Sequence, residues 1–574
     1  MAAAQIASSA TAMISLLIDS FVIGRLLGSP ALSAYGLANP LLIVYAAIGN
    51  MLVCGVQVVC GKSMGRGDKE ETNASFSSSV VIALALSALA VVVVMAAWRP
   101  LCVLLGAGSP GDPLFRMTGD YLRGYTLGIP FFFLCQIMTP CLQLLGKRKL
   151  MLCSVAVITV TDIAFDFLSV CVFDAGIFGI GVATGASYLA AVLVLAVFFL
   201  KKDCILRFSW NRVRWDAVTD ILKAGCPMFI SDGCFILKVY MTNLLLLSIA
   251  GENAIAAFSV ITTLTNLIFC TGFGSGSVTL TLASVFYGEE DRSSLLELLR
   301  AMAPFSLLLI LSAAALTWCF APWLAGAFIQ ADSAALPLAT DGLRLFVLSL
   351  IPAMLSNNLR SYCQGIRRTG TANLIAVMRL VFPAIPVIWV FGRLFGLNGA
   401  WLGMVLAEMI ALAAIAAFAW RRERRISFSA ETFSFLERDF GAPEENCLEL
   451  TVGAERDVTE ASERICAFCR EKGLGSRTAM LLGLCEEEIA NNIIQHGFTK
   501  DRKAHGIHVR LVLKPDRTIL RIRDDCAHFD PVRYLELHED DDPIRHIGLR
   551  MTMALVKDAV YTNSLGFNNL TLVV

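Results

Sequence analysis

The chain has 574 residues, more than one soluble domain gathers around a single core. Apolar residues make up 56% and charged residues only 16%, which excludes an ordinary globular protein. The formal net charge is zero, but residues 441–574 hold 22 acidic and 17 basic side chains against 25 and 30 before them. A basic, membrane-like front therefore precedes a mildly acidic soluble tail, and no basic tract suits nucleic acid.

A membrane-spanning helix needs about 20 mostly apolar residues. Twelve segments qualify, at roughly 3–25, 32–61, 75–98, 118–145, 150–173, 176–200, 222–250, 255–286, 297–320, 340–363, 371–394 and 398–420. No basic region precedes the first, so no cleavable signal is expected. Most of the 18 cysteines, such as Cys54, Cys60, Cys135 and Cys270, lie inside these spans without metal-site spacing. Cys466 and Cys469 form a C-x-x-C in the tail with no second pair, and they read as helix residues.

Loop charge sets the expected orientation. Lys62, Arg66 and Lys69 follow the second span, Lys147, Arg148 and Lys149 the fourth, and Lys201, Lys202, Arg207, Arg212 and Arg214 the sixth. Arg367 and Arg368 follow the tenth, and Arg421, Arg422, Arg424 and Arg425 the twelfth, while the eighth is followed by a mixed loop, Glu289 to Arg292. The opposite loops, such as Gly326 to Gly342, are nearly free of Lys and Arg. Both termini and the tail are thus expected in the cytoplasm of a bacterial cell, with the spans in its inner membrane.

The front repeats itself. Ala31-Leu-Ser-Ala-Tyr35 matches Ala254-Ile-Ala-Ala-Phe258 at an offset of 223, which also carries Gly65 and Asp68 onto Gly288 and Asp291. Leu122-Arg123 recurs as Leu343-Arg344, Ile129-Pro130 as Ile351-Pro352, and Gly179 as Gly399. Each unit has six spans, so both insert the same way up, as two bundles about an axis along the membrane normal. The expected divisions are 1–200 and 222–420 for the repeats, 201–221 for the loop between them, 421–446 for a linker and 447–574 for the tail domain.

An ionisable group at membrane depth is costly, by about 2.5–3.5 kcal/mol on insertion scales, and so usually has a task. The deep candidates are Asp19, Asp162, Asp166, Asp232, Lys238, Arg379 and Glu408. Asp19, Asp166 and Glu408 are the expected coupling groups, each able to hold H⁺ or Na⁺; the alternative for Asp19 is a static partner of Lys238 or Arg379. Asn39, Asn243, Lys238 and Arg379 are the expected substrate path, with the two cations serving either as counter-ions or as anion ligands.

On these residues the front resembles the multidrug and toxic compound extrusion transporters. Leu17-Ile-Asp-Ser-Phe-Val-Ile-Gly24 is similar to that family's first-span acidic motif, Ala31-Leu-Ser-Ala-Tyr-Gly-Leu-Ala-Asn-Pro40 to its second-span start, and Gly65-Arg-Gly-Asp-Lys-Glu70 to its first cytoplasmic loop. The resemblance implies antiport of organic cations or drugs against H⁺ or Na⁺, with the coupling role on Asp19. Related flippases share the architecture, which keeps a lipid among the expected partners.

The tail is expected to form a strand (Cys447–Val452), helices (457–472 and 476–496), two strands (506–513 and 517–523), a helix (546–557) and a last strand (568–574), an α/β sandwich. Glu488, Asn492 and His496 are spaced four apart on one helical face. An Asn there can ligate Mg²⁺ through its amide oxygen, and a Glu one turn earlier can act as a base. Ile522-Arg-Asp-Asp-Cys-Ala-His-Phe-Asp-Pro531 leaves a strand, and Ile547-Gly-Leu-Arg-Met551 opens a helix. In this order the three pieces resemble the histidine-kinase-like ATPases, specifically the anti-sigma-factor serine kinases.

That resemblance implies ATP and Mg²⁺ as cofactors, Glu488 as catalytic base, and Asn492 as the Mg²⁺ ligand. It puts His496 with the nucleotide, Asp524 on adenine and Gly548 at the phosphate lid. It also implies an anti-anti-sigma-type protein partner and a homodimer through the tail. Cys526, His528 and His546 stand where that family has glycines, and Asp540–Asp542 add negative charge beside the lid. The glycines would let backbone amides approach phosphates, so this grip is expected to be reduced. No Gly-x-x-x-x-Gly-Lys-Ser/Thr is present, so ATP is not expected to power transport. The fold class is thus an all-α polytopic membrane protein, twelve helices in two six-helix repeats, plus a C-terminal α/β sandwich. The leading function is secondary active efflux with a regulatory or signalling tail. The alternative is a membrane-anchored serine/threonine kinase whose spans act as a sensor.

Overall fold

The structure is a computed structural model that describes residues 5–7, 18–19, 22–201, 204–329, 335–424, 426–499, 503–538 and 547–574. Among the described residues nine helices are long and apolar enough to cross a membrane, or ten when Pro113–Leu127 and Ile129–Leu144, bent by 44°, count as one. The expected fourth span is this bent pair. Ile129 is followed by Pro130, which cannot donate to the preceding turn. The last apolar stretch, Thr369–Glu423, has 55 residues, more than twice what a bilayer requires. It breaks at Gly396, whose φ of 67° no helix interior adopts, so it supplies the expected eleventh and twelfth spans. Most of the expected first span lies outside the described residues. Large apolar side chains such as Val92, Val197, Leu308 and Phe382 face outward, where a lipid phase would meet them.

The repeat is written into the backbone. Gly28 and Gly251 both have positive φ at the 223-residue offset, and Gly67 and Glu290 do the same. Gly146 pairs with Arg367, and Gly176 with Gly396, at the neighbouring offsets. Asp68 and Asp291 both cap helices, accepting from the amides of Glu71 and Ser294. Two sequences that have diverged in side chains thus keep the same left-handed turns.

The halves meet most closely on the side that carries the tail. A Cβ on Gly55, Gly61 or Gly65 would collide with Ile221, Ser284 or Val285 of the other half, and one on Gly225 or Gly288 with Met51 or Lys62. Gln57 bridges the seam as well, its amide donating to Ser277 of the other half at 3.1 Å. Toward the other end of the same helix, Leu32, Ile43 and Val44 are exposed. The molecule is therefore sealed on the tail side.

The expected loop 201–221 is partly helical, because the next helix already begins at Trp215. The expected linker is not a free tether: Phe435 and Leu436 are buried against the second half, and Phe440 stacks on Tyr287 at 4.9 Å. The tail is a five-stranded antiparallel sheet of β1 (Cys447–Val452), β2 (Ile507–Leu513), β3 (Thr518–Asp524), β4 (Asp558–Ser564) and β5 (Phe567–Val573), in the order β1-β2-β3-β5-β4. Helices Glu455–Glu471, Ser476–His496 and Ile547–Leu555 cover one face. The sequence reading missed β4 and the helix Pro531–Leu537. Asp558-Ala-Val-Tyr-Thr-Asn-Ser564 is half polar and acquires its strand character only by pairing with β5.

Candidate functional site

Three sites hold the residues singled out above. In the first half, Asp19, Asp162 and Asp166 are 8%, 3% and 1% exposed. Asp162 and Asp166 lie one turn apart on Arg148–Cys171, and Asp19 reaches them from the first span. Asp19 lies close enough to Asp162 and Asp166 for their charges to act on it, and one oxygen each of Asp162 and Asp166 is buried without a hydrogen-bond partner. Aromatic phenols surround the group, with Tyr35 against Tyr121 at 5.4 Å and Tyr121 against Tyr125 at 5.9 Å. Among the described residues no Lys or Arg forms an ion pair with these acids. Three carboxylates packed without a cation repel each other unless a proton or a metal cation joins them. The alternative of a static Asp19 ion pair with Lys238 or Arg379 does not hold, because those cations belong elsewhere.

That second place is a cavity of about 320 Å³ at the seam. Glu408 accepts from Lys238 at 3.3 Å and from Arg379 at 3.1 Å, so one buried carboxylate holds two cations. Arg379 also lies over the Phe269 ring at 5.2 Å. Asn50 of the first half donates to Asp232 of the second at 3.0 Å. Arg360, 5% exposed, lines the same cavity and was missed in the sequence because its span ends there in a polar run. Phe235, Phe269, Phe273 and Phe346 supply apolar wall. Glu408 therefore sits apart from Asp19 and Asp166. Of the expected path residues, Lys238 and Arg379 line the cavity, whereas Asn39 is exposed and Asn243 does not reach it.

The third site is a cavity of about 500 Å³ in the tail, between helix Ser476–His496 and the sheet. Asn492, His496 and Asp524 all line it, as the sequence implied. Asp524 Oδ1 accepts from the Cys526 amide at 2.9 Å and from Asn568 at 2.8 Å, and Tyr561 donates to Asn568 at 2.6 Å. Burial pushes the Asp524 carboxyl above its ordinary range, while the bond from Asn568 pulls it back. Ile489, Ile522, Leu549 and Leu570 form apolar walls. This end fits a flat heterocycle with an amino group to donate. At the other end, His496 is the one basic side chain among the described residues that line the cavity. Glu488 and Gly548 do not line the cavity; they pack on each other, and a Cβ on Gly548 would collide with the Glu488 carboxylate. His546 and Asp540–Asp542 lie outside the described residues.

Residues 5–168 and 227–390 match the MatE family model, and residues 451–574 match that of the histidine kinase-like ATPase domain. A multidrug export protein, MepA of Staphylococcus saprophyticus, is 25% identical over 420 residues, covering 72% of this chain and 91% of that protein. A Staphylococcus aureus MepA is 23% identical over 404 residues, at 70% and 88% coverage. Among solved structures, a MATE protein in complex with MaL6 aligns with a TM-score of 0.70 at 20% identity, over 76% of this chain and 96% of that one. An outward-facing multidrug resistance MATE family transporter aligns equally well. The chain belongs to the MatE family, the multidrug and toxic compound extrusion transporters, and carries a histidine kinase-like ATPase domain behind its spans.

Proposed function

We propose that the protein exports organic cations or drugs in exchange for H⁺ or Na⁺, under the control of a nucleotide-binding tail. The buried trio Asp19, Asp162 and Asp166 carries this reading, because its charge is balanced only when a cation joins it. Loading that site and loading the central cavity would then be alternatives, linked through the movement of the two halves. Transport by the relatives named multidrug export proteins supports the substrate class. Gly146, beside Lys147 and Arg148, lies on Gly566 of the tail, and Arg368 pairs with Glu437 just before it, so basic loops stand on the tail side, which supports a cytoplasmic tail in the inner membrane of a bacterium.

For the tail, a regulatory role is preferred to phosphoryl transfer. Glu488, carried over as the base, packs on Gly548 and is not among the described residues that line the cavity. Asn492 would hold Mg²⁺ and Asp524 the adenine of ATP, and the bound metal would neutralise phosphate charge. The strands that supply Asp524, Tyr561 and Asn568 also carry the residues that meet the membrane domain, so a ligand there acts on the same sheet.

The test uses the full chain in proteoliposomes, with ethidium as the probe cation and imposed H⁺ or Na⁺ gradients. Exchange is expected under one gradient and to fall to background in Asp19→Asn. Mg·ATP on the tail side is expected to change the rate of the parent chain but not of Asn492→Ala. Gradient-independent flux, or full activity of Asp19→Asn, would overturn the antiport reading.

A further inference from the structure

The outer face of the tail sheet does not face solvent. Residues 507, 509, 511 and 513 of β2 point to the covering helices, which leaves Arg510 on the other side. By the same alternation β3 turns Arg521 and Arg523 outward. Arg510 and Arg521 are direct cross-strand partners, and Arg523 stands one pair further along the same face. Three guanidinium groups this close destabilise a sheet unless acids answer them.

The acids come from the loop after the eighth span. Glu289, 3% exposed at its side chain, pairs with Arg523 at 2.7 Å and with Arg521 at 3.4 Å. Glu290 pairs with Lys514, and Asp291 with Arg510. Burial alone would raise the Asp291 carboxyl, but the Arg510 guanidinium outweighs it and holds the group below the usual carboxylate range. The repeat makes these acids conspicuous. At the 223-residue offset Glu289 and Glu290 correspond to Arg66 and Gly67, so the second half has acids where the first has a base and a glycine.

The same sheet reaches the first half through its β4–β5 edge. Val560 and Thr562 lie over Gly67, where even a Cβ would press on Val560 at 2.7 Å. The hairpin tip Leu565-Gly566 enters between the first-half loops. Leu565 is 5% exposed in the first-half core, its amide donates to the Leu144 carbonyl at 2.5 Å, and Gly566 lies on Gly146. Lys69 meets Asp530 at 3.3 Å. The tail is therefore fastened to the second half and hooked onto the first, across the sealed seam.

We infer that the tail is an intramolecular clamp that holds the tail-side ends of the two halves together and must unhook before the transporter opens on that side. This rests on the alternating-access reading of the membrane part. Contacts that span both halves exist only while the halves are closed there, so they favour that state by their full free energy. Helix Ser29–Arg66 and the segment Asn253–Gly288 would part at Gly61–Ser284 and Gly65–Val285 once the bridge is lost.

Hydrogen–deuterium exchange on the full-length protein in detergent tests this without reference to any substrate. The Arg521→Glu, Arg523→Glu chain is expected to exchange faster in segments 55–66 and 280–288, on the order of tenfold or more, since each reversal opposes Glu289. Adding Glu289→Lys to the same chain is expected to restore protection. A misfolded variant would lose protection in helix Ser476–His496 too and would not be rescued. Unchanged exchange at the seam in the double reversal would overturn the clamp, as would a loss of seam protection that Glu289→Lys leaves unrepaired while helix Ser476–His496 keeps its own. Failure of the antiport reading would appear instead as absent ethidium exchange with the seam result intact.

Discussion

Glu486 shows how a single side chain sets a condition on the whole tail. It is fully buried, and neither carboxylate oxygen has a hydrogen-bond partner. Burial, with a smaller push from Glu487, raises its carboxyl to about 8 from the ordinary 4.5. The folded tail thus binds a proton that the unfolded tail releases at lower pH, so stability falls as pH rises from about 4.5 through 8. Exchange at Ser476–His496 is expected to quicken over that window. Glu486→Gln keeps the shape without the charge and is expected to remove the pH dependence; an unchanged profile would exclude this residue as its source. The motif Glu488, Asn492 and His496 was legible because a four-residue spacing fixes one helical face. Glu486, two residues earlier, was not, since nothing in the sequence says which face the sheet covers.

Among the elements, the β4–β5 hairpin joins local strain to a distant contact. Its two-residue turn puts both Leu565, at φ 60°, and Gly566, at φ 89°, in the left-handed region. For leucine this costs about 1–2 kcal/mol, and burying the side chain in the first half recovers about 1.5–3 kcal/mol. Leu565→Asn separates the two effects, because asparagine suits the turn but not the apolar seat. Exchange in β4 and β5 is expected to stay equal or slow, while residues 142–148 exchange faster. Uniform loosening of both would show that Leu565 stabilises only the hairpin. The sequence foretold β1, β2 and β3 to within a residue or so, since each alternates apolar and polar positions. It missed β4, whose apolar content is low and whose register is set by β5.

At the scale of the molecule, glycines decide how closely the halves approach. Gly65 lies on the Val285 carbonyl, and Gly288 on that of Lys62, at corresponding places in the repeat. Gly65→Val is expected to force the seam apart on the tail side. Because coupling is reciprocal, the hairpin should then seat less well, and exchange at Leu565 and its neighbours should rise with that at 280–288. A seam that opens while the hairpin keeps its protection would show the two to be uncoupled.

By itself the sequence determined the two-repeat membrane architecture, the ATPase-like tail and the chemical types at each candidate site. These follow from local rules: hydropathy over one span, charge in one loop, spacing along one helix. Only the tertiary structure decided that Asp19 joins Asp162 and Asp166 while Glu408 takes Lys238 and Arg379, and that Glu488 packs on Gly548. It also decided that Arg521 and Arg523 answer Glu289, more than two hundred residues earlier in the chain. Pairings of this kind depend on which surfaces meet once each element has buried its apolar side, and a linear pattern of charges does not carry that information.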